Sequence, residues 1–113
     1  PHTDTTFANE PAGSIGMTRK LISIFRLMHP SALIPATTAL ASLSSDGREQ
    51  GILAGANVVM PNLSPTSVRE KYTLYNHKAA FGSEAAEGLK LLEEQLNLIG
   101  YTISKERGDY NYV

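Results

Sequence analysis

Five side chains of this sequence offer ligand-binding chemistry: Thr37, Thr38, Met60, Tyr72 and Tyr75. The threonine hydroxyls can hydrogen-bond a carboxylate or another anionic ligand, and the Met60 thioether can line an apolar or metal-complex pocket. The two tyrosines are three residues apart, so on a helix their phenols would share a face and could grip one ligand.

Each of these side chains also has a purely structural interpretation. The threonines could cap a turn, the methionine could fill a core, and the tyrosines could pack with satisfied hydroxyls. Periodicity alone does not decide between the two interpretations.

The other chemistry-bearing residues form no recognisable catalytic or metal-binding set. His2, His29 and His77 are widely spaced, and no pair has metal-ligand spacing. The chain has no cysteine, which excludes disulfides and cysteine-ligated zinc or iron–sulfur centres within it. No phosphate-binding loop, glycine-rich nucleotide motif or serine triad order is present. We therefore expect no complete active site, and no metal ligands, within these residues.

Composition predicts a globular chain of ordinary character. The 113 residues are 42% hydrophobic and carry a net charge of −1, which favours one domain or a piece of one and gives no nucleic-acid footprint. No apolar run approaches the length of a membrane span. A cytoplasmic location without nucleic-acid or membrane partners is the expectation.

The elements around the five side chains follow from periodicity and capping signals. Apolar residues at helical spacing predict a helix over residues 18–28, with Thr18 as N-cap and His29-Pro30 as its end. Residues 32–36 and 56–60 are predicted to be strands, and residues 48–54 to be the short helix between them. An Asp46–Glu49 capping pair would start that helix, and Gly55 would end it. This order predicts a parallel βαβ unit.

The C-terminal half is predicted to be mainly helical. Residues 65–75 fit a short helix or an ordered loop, and residues 83–99 fit a helix with Ser83 as N-cap and Gly100 as its end. One apolar stripe runs along that helix, formed by Ala85, Leu89, Leu92, Leu96 and Ile99. Residues 101–103 are a last strand or an extended tail.

Several motifs resemble the biotin synthase-like radical SAM enzymes. Residues 1–10 are similar to the segment at their sixth barrel strand, which commonly reads Pro-His-Pro-Asp-Thr-Pro-Leu-Ala. The further matches are IPATTA at 34–39, GRE at 47–49, GANVVMPN at 55–62 and YTLY at 72–75. Together they resemble the C-terminal part of the HydE-type maturases of FeFe-hydrogenase within that family.

The resemblance implies an α/β fold, namely the C-terminal portion of a (β/α)8 TIM-type barrel with a C-terminal covering helix. About the last three βα units would be present, with the sixth strand mostly missing and further sequence expected before Pro1. Residues 34–36 and 56–60 would be the seventh and eighth strands. Residues 1–78 would carry the barrel units and the substrate-cavity segment, and residues 79–113 the helix and tail.

The resemblance also implies roles for individual positions. Thr37, Thr38, Met60, Tyr72 and Tyr75 match positions that line the substrate cavity. Pro1 and His2 match the strand end that approaches the adenosyl part of S-adenosylmethionine. The implied substrate is a small iron complex bearing carbon monoxide and cyanide, and the implied protein partners are other hydrogenase maturation proteins.

The cofactors of such a parent would be S-adenosylmethionine and one 4Fe-4S cluster held by a Cys-x3-Cys-x2-Cys loop. That loop is not in this sequence, so we expect the chain alone to be inactive. Ala79-Ala80 stand where some relatives place auxiliary cysteines, so no auxiliary cluster is expected. The alternatives are a sister enzyme of the biotin or methylornithine synthase type and a non-catalytic ligand-binding or scaffold module. Exposed strand edges and apolar patches predict that the isolated chain aggregates, self-associates or is partly disordered.

Overall fold

A computed structural model of the chain describes residues 1–61, 63, 65–69 and 85–109. Its first helix, α1 (Ile15–Met28), starts earlier than the sequence predicts. Ser14 is the N-cap, and its Oγ accepts the Met17 N–H at 3.2 Å, whereas the Thr18 hydroxyl donates to the Ser14 carbonyl from inside the first turn. The predicted Thr18 cap is therefore wrong, while the predicted end at His29 is confirmed.

A parallel βαβ unit follows, as predicted. It consists of β1 (Pro35–Ala36), α3 (Gly47–Leu53) and β2 (Val58–Val59), with Pro35 opposite Val58 and Ala36 opposite Val59. The strands are shorter than predicted. Before β2, the side-chain oxygen of Asn57 replaces a backbone carbonyl as the acceptor for Ile34. Asn57 Oδ1 accepts the Ile34 N–H at 2.8 Å, and the Asn57 N–H donates to the Ile34 carbonyl at 2.8 Å.

Helix α2 (Thr38–Leu43) lies between β1 and α3. The sequence patterns do not predict it. Helix α2 packs closely against the start of α3. A Cβ at Gly47 would overlap the Leu40 carbonyl, so the absence of a side chain at Gly47 allows this approach. Asp46 is the N-cap of α3 but makes no side-chain cap hydrogen bond, so the predicted Asp46–Glu49 capping pair is wrong.

Two helices end in the same glycine motif. After α3, Gly55 N–H donates to Ile52 O and Ala56 N–H to Gly51 O, with Gly55 at φ +119. After α5 (Ala85–Leu98), the residues at the equivalent places repeat both bonds, with Gly100 at φ +84. This is the Schellman arrangement, which needs a left-handed residue and so favours glycine. Both predicted glycine stops are confirmed.

The remaining predicted elements are described only in part. Within residues 65–75 the structure has α4 (Thr66–Arg69). The predicted N-cap Ser83 lies outside the described residues. Tyr101 to Ile103 form no strand and continue as an extended tail, with Ile103 packed against the core.

The core is small and draws on most elements. Its buried members are Ile22, Ala36, Leu40, Ile52, Ala56, Leu92 and Leu96. Leu92 and Leu96 come from the apolar stripe predicted for α5. Helices flanking a small parallel sheet agree with the predicted α/β class. The barrel and the division after residue 78 stay predictions.

The apolar stripe of α1 faces outward. Met17, Leu21, Ile24, Phe25 and Met28 are between 44% and 65% exposed. Their spacing places them on one side of the helix, away from buried Ile22. Among the described helices, none is both long and apolar enough to cross a membrane.

Candidate functional site

The carboxyl ends of β1 and β2 bring two of the predicted site residues to one edge of the sheet. Thr37 follows β1 directly, and Met60 follows β2. The register that pairs Ala36 with Val59 places Thr37 level with Met60. Neighbouring strands lie about 4.8 Å apart, so the two residues flank the same short edge. Met60 is 51% exposed there.

Within the described part of the chain, neither threonine hydroxyl makes a hydrogen bond. Thr37 is the N-cap of α2, but its side chain makes no cap hydrogen bond. Thr38 is the first residue of the helix, and it is its carbonyl, not its hydroxyl, that accepts from Ser42. Both side chains are half-buried. The structural interpretation of Thr37 as a side-chain cap is therefore wrong, and its hydroxyl stays available at the strand end.

Tyr72 and Tyr75 lie outside the described residues. Pro1 and His2 are described, in an N-terminal turn. Asp4 N–H donates to His2 Nδ1 at 3.1 Å, and Thr5 Oγ1 donates to the His2 carbonyl at 2.8 Å. Every hydrogen bond described for residues 1–10 stays within that segment. The structure therefore gives Pro1 and His2 no hydrogen bond to the strand ends.

A cavity of about 550 Å³ opens elsewhere, where the C-terminal tail crosses the sheet. Ile52, Val59, Leu96 and Ile103 form apolar wall, and Asn57 adds a polar group. Of the predicted site residues that the structure describes, none lines this cavity. The described lining includes Asn57 and both residues of β2 but neither Thr37 nor Met60, so the cavity is distinct from the strand-end site in its described lining.

A row of polar side chains on α1 contacts α3 and the turn that follows it, which the sequence does not predict. Arg19 Nη1 donates to Gln50 Oε1 at 3.0 Å, and Ser23 Oγ donates to the Ala54 carbonyl at 2.8 Å. Arg26 Nε donates to the Gly55 carbonyl at 2.8 Å. The donors are spaced i, i+4, i+7, which puts them on one helix face. The sequence contains this spacing, but no local pattern indicates that the acceptors lie on α3 and the turn after it.

One carboxylate of the described residues has a shifted pKa. The hydrogen bond from the Ser44 hydroxyl, followed by that from the Gln50 amide, lowers the pKa of Asp46 below its usual 3.8. Asp46 is exposed to solvent. Its role is to join the turn before α3 to the first turns of that helix.

The chain's own residues do not fit an iron–sulfur cluster. The sequence contains no cysteine to supply thiolates. Among the residues with described positions, no group of three or more His, Cys, Asp and Glu side chains is placed to hold a metal ion. Any cluster that serves this strand-end site must be held by other residues.

Comparison with known proteins gives one informative match. No protein-family model matches the chain. The "[FeFe] hydrogenase maturase subunit HydE" of Thermotoga maritima is 34% identical over 108 residues, which is 96% of this chain. The chain spans 31% of that relative's length. The resemblance expected from the motifs is thereby confirmed: the chain is similar to HydE over nearly its whole length, consistent with the C-terminal part of such a protein.

Proposed function

We propose that this chain acts as the C-terminal part of a radical SAM maturase of the HydE type. Within it, the carboxyl ends of β1 and β2 form part of the wall of the substrate cavity. The observation that carries the proposal is the 34% identity to HydE over 96% of the chain.

The geometry of the strand ends supports a ligand-facing role. In barrels built from βα units, the carboxyl ends of the strands carry the chemistry. Here that end presents the uncommitted Thr37 hydroxyl level with the exposed Met60 thioether. One hydroxyl can orient an anionic group, while the thioether supplies a soft apolar wall. Thr38, Tyr72 and Tyr75 complete the proposed wall.

The chain's contribution is to bind, orient and exclude water. S-adenosylmethionine and a 4Fe-4S cluster, held elsewhere in the maturase, would supply a 5′-deoxyadenosyl radical. Pro1 and His2 are proposed to approach the adenosyl group. The proposed substrate is a small iron complex, and the proposed partners are other hydrogenase maturation proteins, without nucleic acid or membrane.

The exposed face of α1 supports a place in a larger body. An apolar stripe along the 14-residue helix is more exposed surface than one small domain usually leaves uncovered. Each strand of the described sheet also has a single neighbour. Both features are expected of a surface that packs against further βα units.

A chimera tests the proposal. This chain would replace the matched part of the Thermotoga maritima HydE, and two readouts would be taken: reductive cleavage of S-adenosylmethionine and activation of FeFe-hydrogenase. We expect both activities in the chimera. Thr37→Val should lower hydrogenase activation about tenfold through loss of one ligand hydrogen bond. Leu98→Ala, which alters an exposed helix residue, is the matched control.

The outcomes separate the alternatives. A chimera that holds its cluster and cleaves S-adenosylmethionine but activates no hydrogenase would favour a sister enzyme. A folded chimera that shows neither activity would refute the proposal. Equal hydrogenase activation by the Thr37→Val and Leu98→Ala chimeras would show that the Thr37 hydroxyl does not bind the substrate.

A further inference from the structure

The Arg26 guanidinium joins the ends of two helices. Its Nη1 donates to the Pro30 carbonyl at 2.6 Å and to the His29 carbonyl at 3.3 Å, just beyond the end of α1. Its Nε donates to the Gly55 carbonyl at 2.8 Å, just beyond the end of α3. One planar group therefore fixes two chain reversals relative to each other.

The electrostatics of this arrangement are favourable without a carboxylate. The last carbonyls of a helix carry partial negative charge, and a cation beside them is stabilising. Among the residues described, the ion pair of an arginine joins Arg107 to Asp109, and no carboxylate pairs with Arg26. Its Nη2 is buried and has no hydrogen-bond partner in the described part.

The contact with Gly55 is also steric. A Cβ on Gly55 would lie 2.8 Å from Arg26 Cβ and 3.0 Å from Arg26 Cγ. The aliphatic part of the Arg26 side chain thus packs directly against the backbone of Gly55, from which the chain leads into β2. Only a left-handed glycine allows both the turn and this approach.

We propose that Arg26 is a positioning residue that sets the entry of β2 and thereby holds Met60 level with Thr37. The path is short: Gly55 is fixed by Arg26, buried Ala56 follows, and Asn57 pairs with Ile34. Two strand residues then lead to Met60. That Met60 lines a substrate cavity rests on the proposed function. That Arg26 sets the position of Met60 does not.

The chemistry of the side chain decides which substitutions can replace it. Lysine has a single ammonium and no planar fork, so it cannot satisfy carbonyls on two separate turns in the same geometry. Arg26→Lys keeps the charge and most of the stem but should lose the bridge. Arg19→Gln is the matched control, because Arg19 lies on the same helix face and bonds to the side chain of Gln50.

The test uses the chimera with the Thermotoga maritima HydE, in which the methionine methyl groups are labelled. Met60 is one of three methionines in this chain, and Met60→Leu assigns its signal. In Arg26→Lys and Arg26→Gln we expect a shifted Met60 methyl resonance. We also expect amide exchange at Ala56 and Val59 to rise about tenfold or more, the equivalent of losing one charged hydrogen bond. Arg19→Gln should leave both readouts unchanged.

The opposite pattern would overturn the assignment. If Arg26→Lys lowers the melting temperature while the Met60 resonance stays in place, Arg26 is only a stabilising residue. Added guanidinium ion should move the Met60 signal of Arg26→Ala back toward that of the unsubstituted chimera. Absence of that return would also count against the proposal. No readout depends on S-adenosylmethionine or hydrogenase, so failure here is distinct from failure of the proposed function.

Discussion

Replacing Gly55 by alanine should destabilise the fold more than the same change at Gly100. Both glycines have positive φ, +119 at Gly55 and +84 at Gly100, and both terminate a helix by the same pair of hydrogen bonds. They differ in their surroundings. A Cβ on Gly100 meets nothing within 4 Å, whereas a Cβ on Gly55 lies 2.8 Å from Arg26 Cβ.

The magnitude follows from adding the two costs. A left-handed backbone costs a non-glycine residue about 1–2 kcal/mol, and this applies at both positions. Forcing a methyl group into a packed contact costs about 1–3 kcal/mol more, and this applies only at Gly55. We therefore expect a loss in the free energy of unfolding of about 2–5 kcal/mol for Gly55→Ala and about 1–2 kcal/mol for Gly100→Ala.

Urea unfolding followed by circular dichroism measures both losses, with hydrogen exchange as a local check. Arg26→Ala removes the Cγ contact but keeps the Cβ contact, so the cost of Gly55→Ala should fall only in part in that background. Equal losses for the two alanine variants would show that the close approach of α1 to Gly55 is absent in solution. That result would refute the reasoning on both Gly55 and Arg26.

Three further predictions concern other parts of the chain. The hydrogen bonds that lower the pKa of Asp46 stabilise the fold above its usual pKa, and this stabilisation is lost as the pH falls through the lowered value. Asp46→Asn should therefore weaken the pH dependence of the melting temperature below about pH 5, where the carboxylate begins to protonate. Ser14→Ala should cost about 1 kcal/mol of unfolding free energy in urea titrations, and Thr18→Ala less than about 0.5 kcal/mol, because Ser14 holds the cap. Lysine at both Met17 and Met28 should reduce concentration-dependent self-association in sedimentation experiments, and unchanged association would place the contact away from α1.

Local signals predicted the elements well where the chain's own chemistry decides them. Glycine stops after α3 and α5 need a left-handed residue, and the sequence supplies one at each place. The parallel βαβ order followed from two apolar runs and a helix between them. The start of α1 was misplaced because Ser14 and Thr18 are both good caps, and only three-dimensional geometry shows which hydroxyl meets a free N–H.

The candidate site was less predictable because it depends on strand register and on packing between distant segments. That Thr37 lies level with Met60 follows from the pairing of Ala36 with Val59, which no local pattern contains. Helix α2 is not predicted from the sequence, and its close packing on Gly47 through the Leu40 carbonyl is a contact that no local pattern contains. The pairing of Tyr72 with Tyr75 stays a prediction outside the described residues.

The two faces of α1 show how packing can depart from hydrophobic periodicity. Its polar face is docked on the end of α3 by Arg19, Ser23 and Arg26, while its apolar stripe faces outward. Fully burying one large apolar side chain contributes about 1.5–3 kcal/mol, so covering five that are now roughly half exposed would contribute on the order of 4–7 kcal/mol. That sum is comparable to the whole stability of a small domain. The polar face of α1 contacts α3 within the described fold, and we expect the apolar face to pack against a second body.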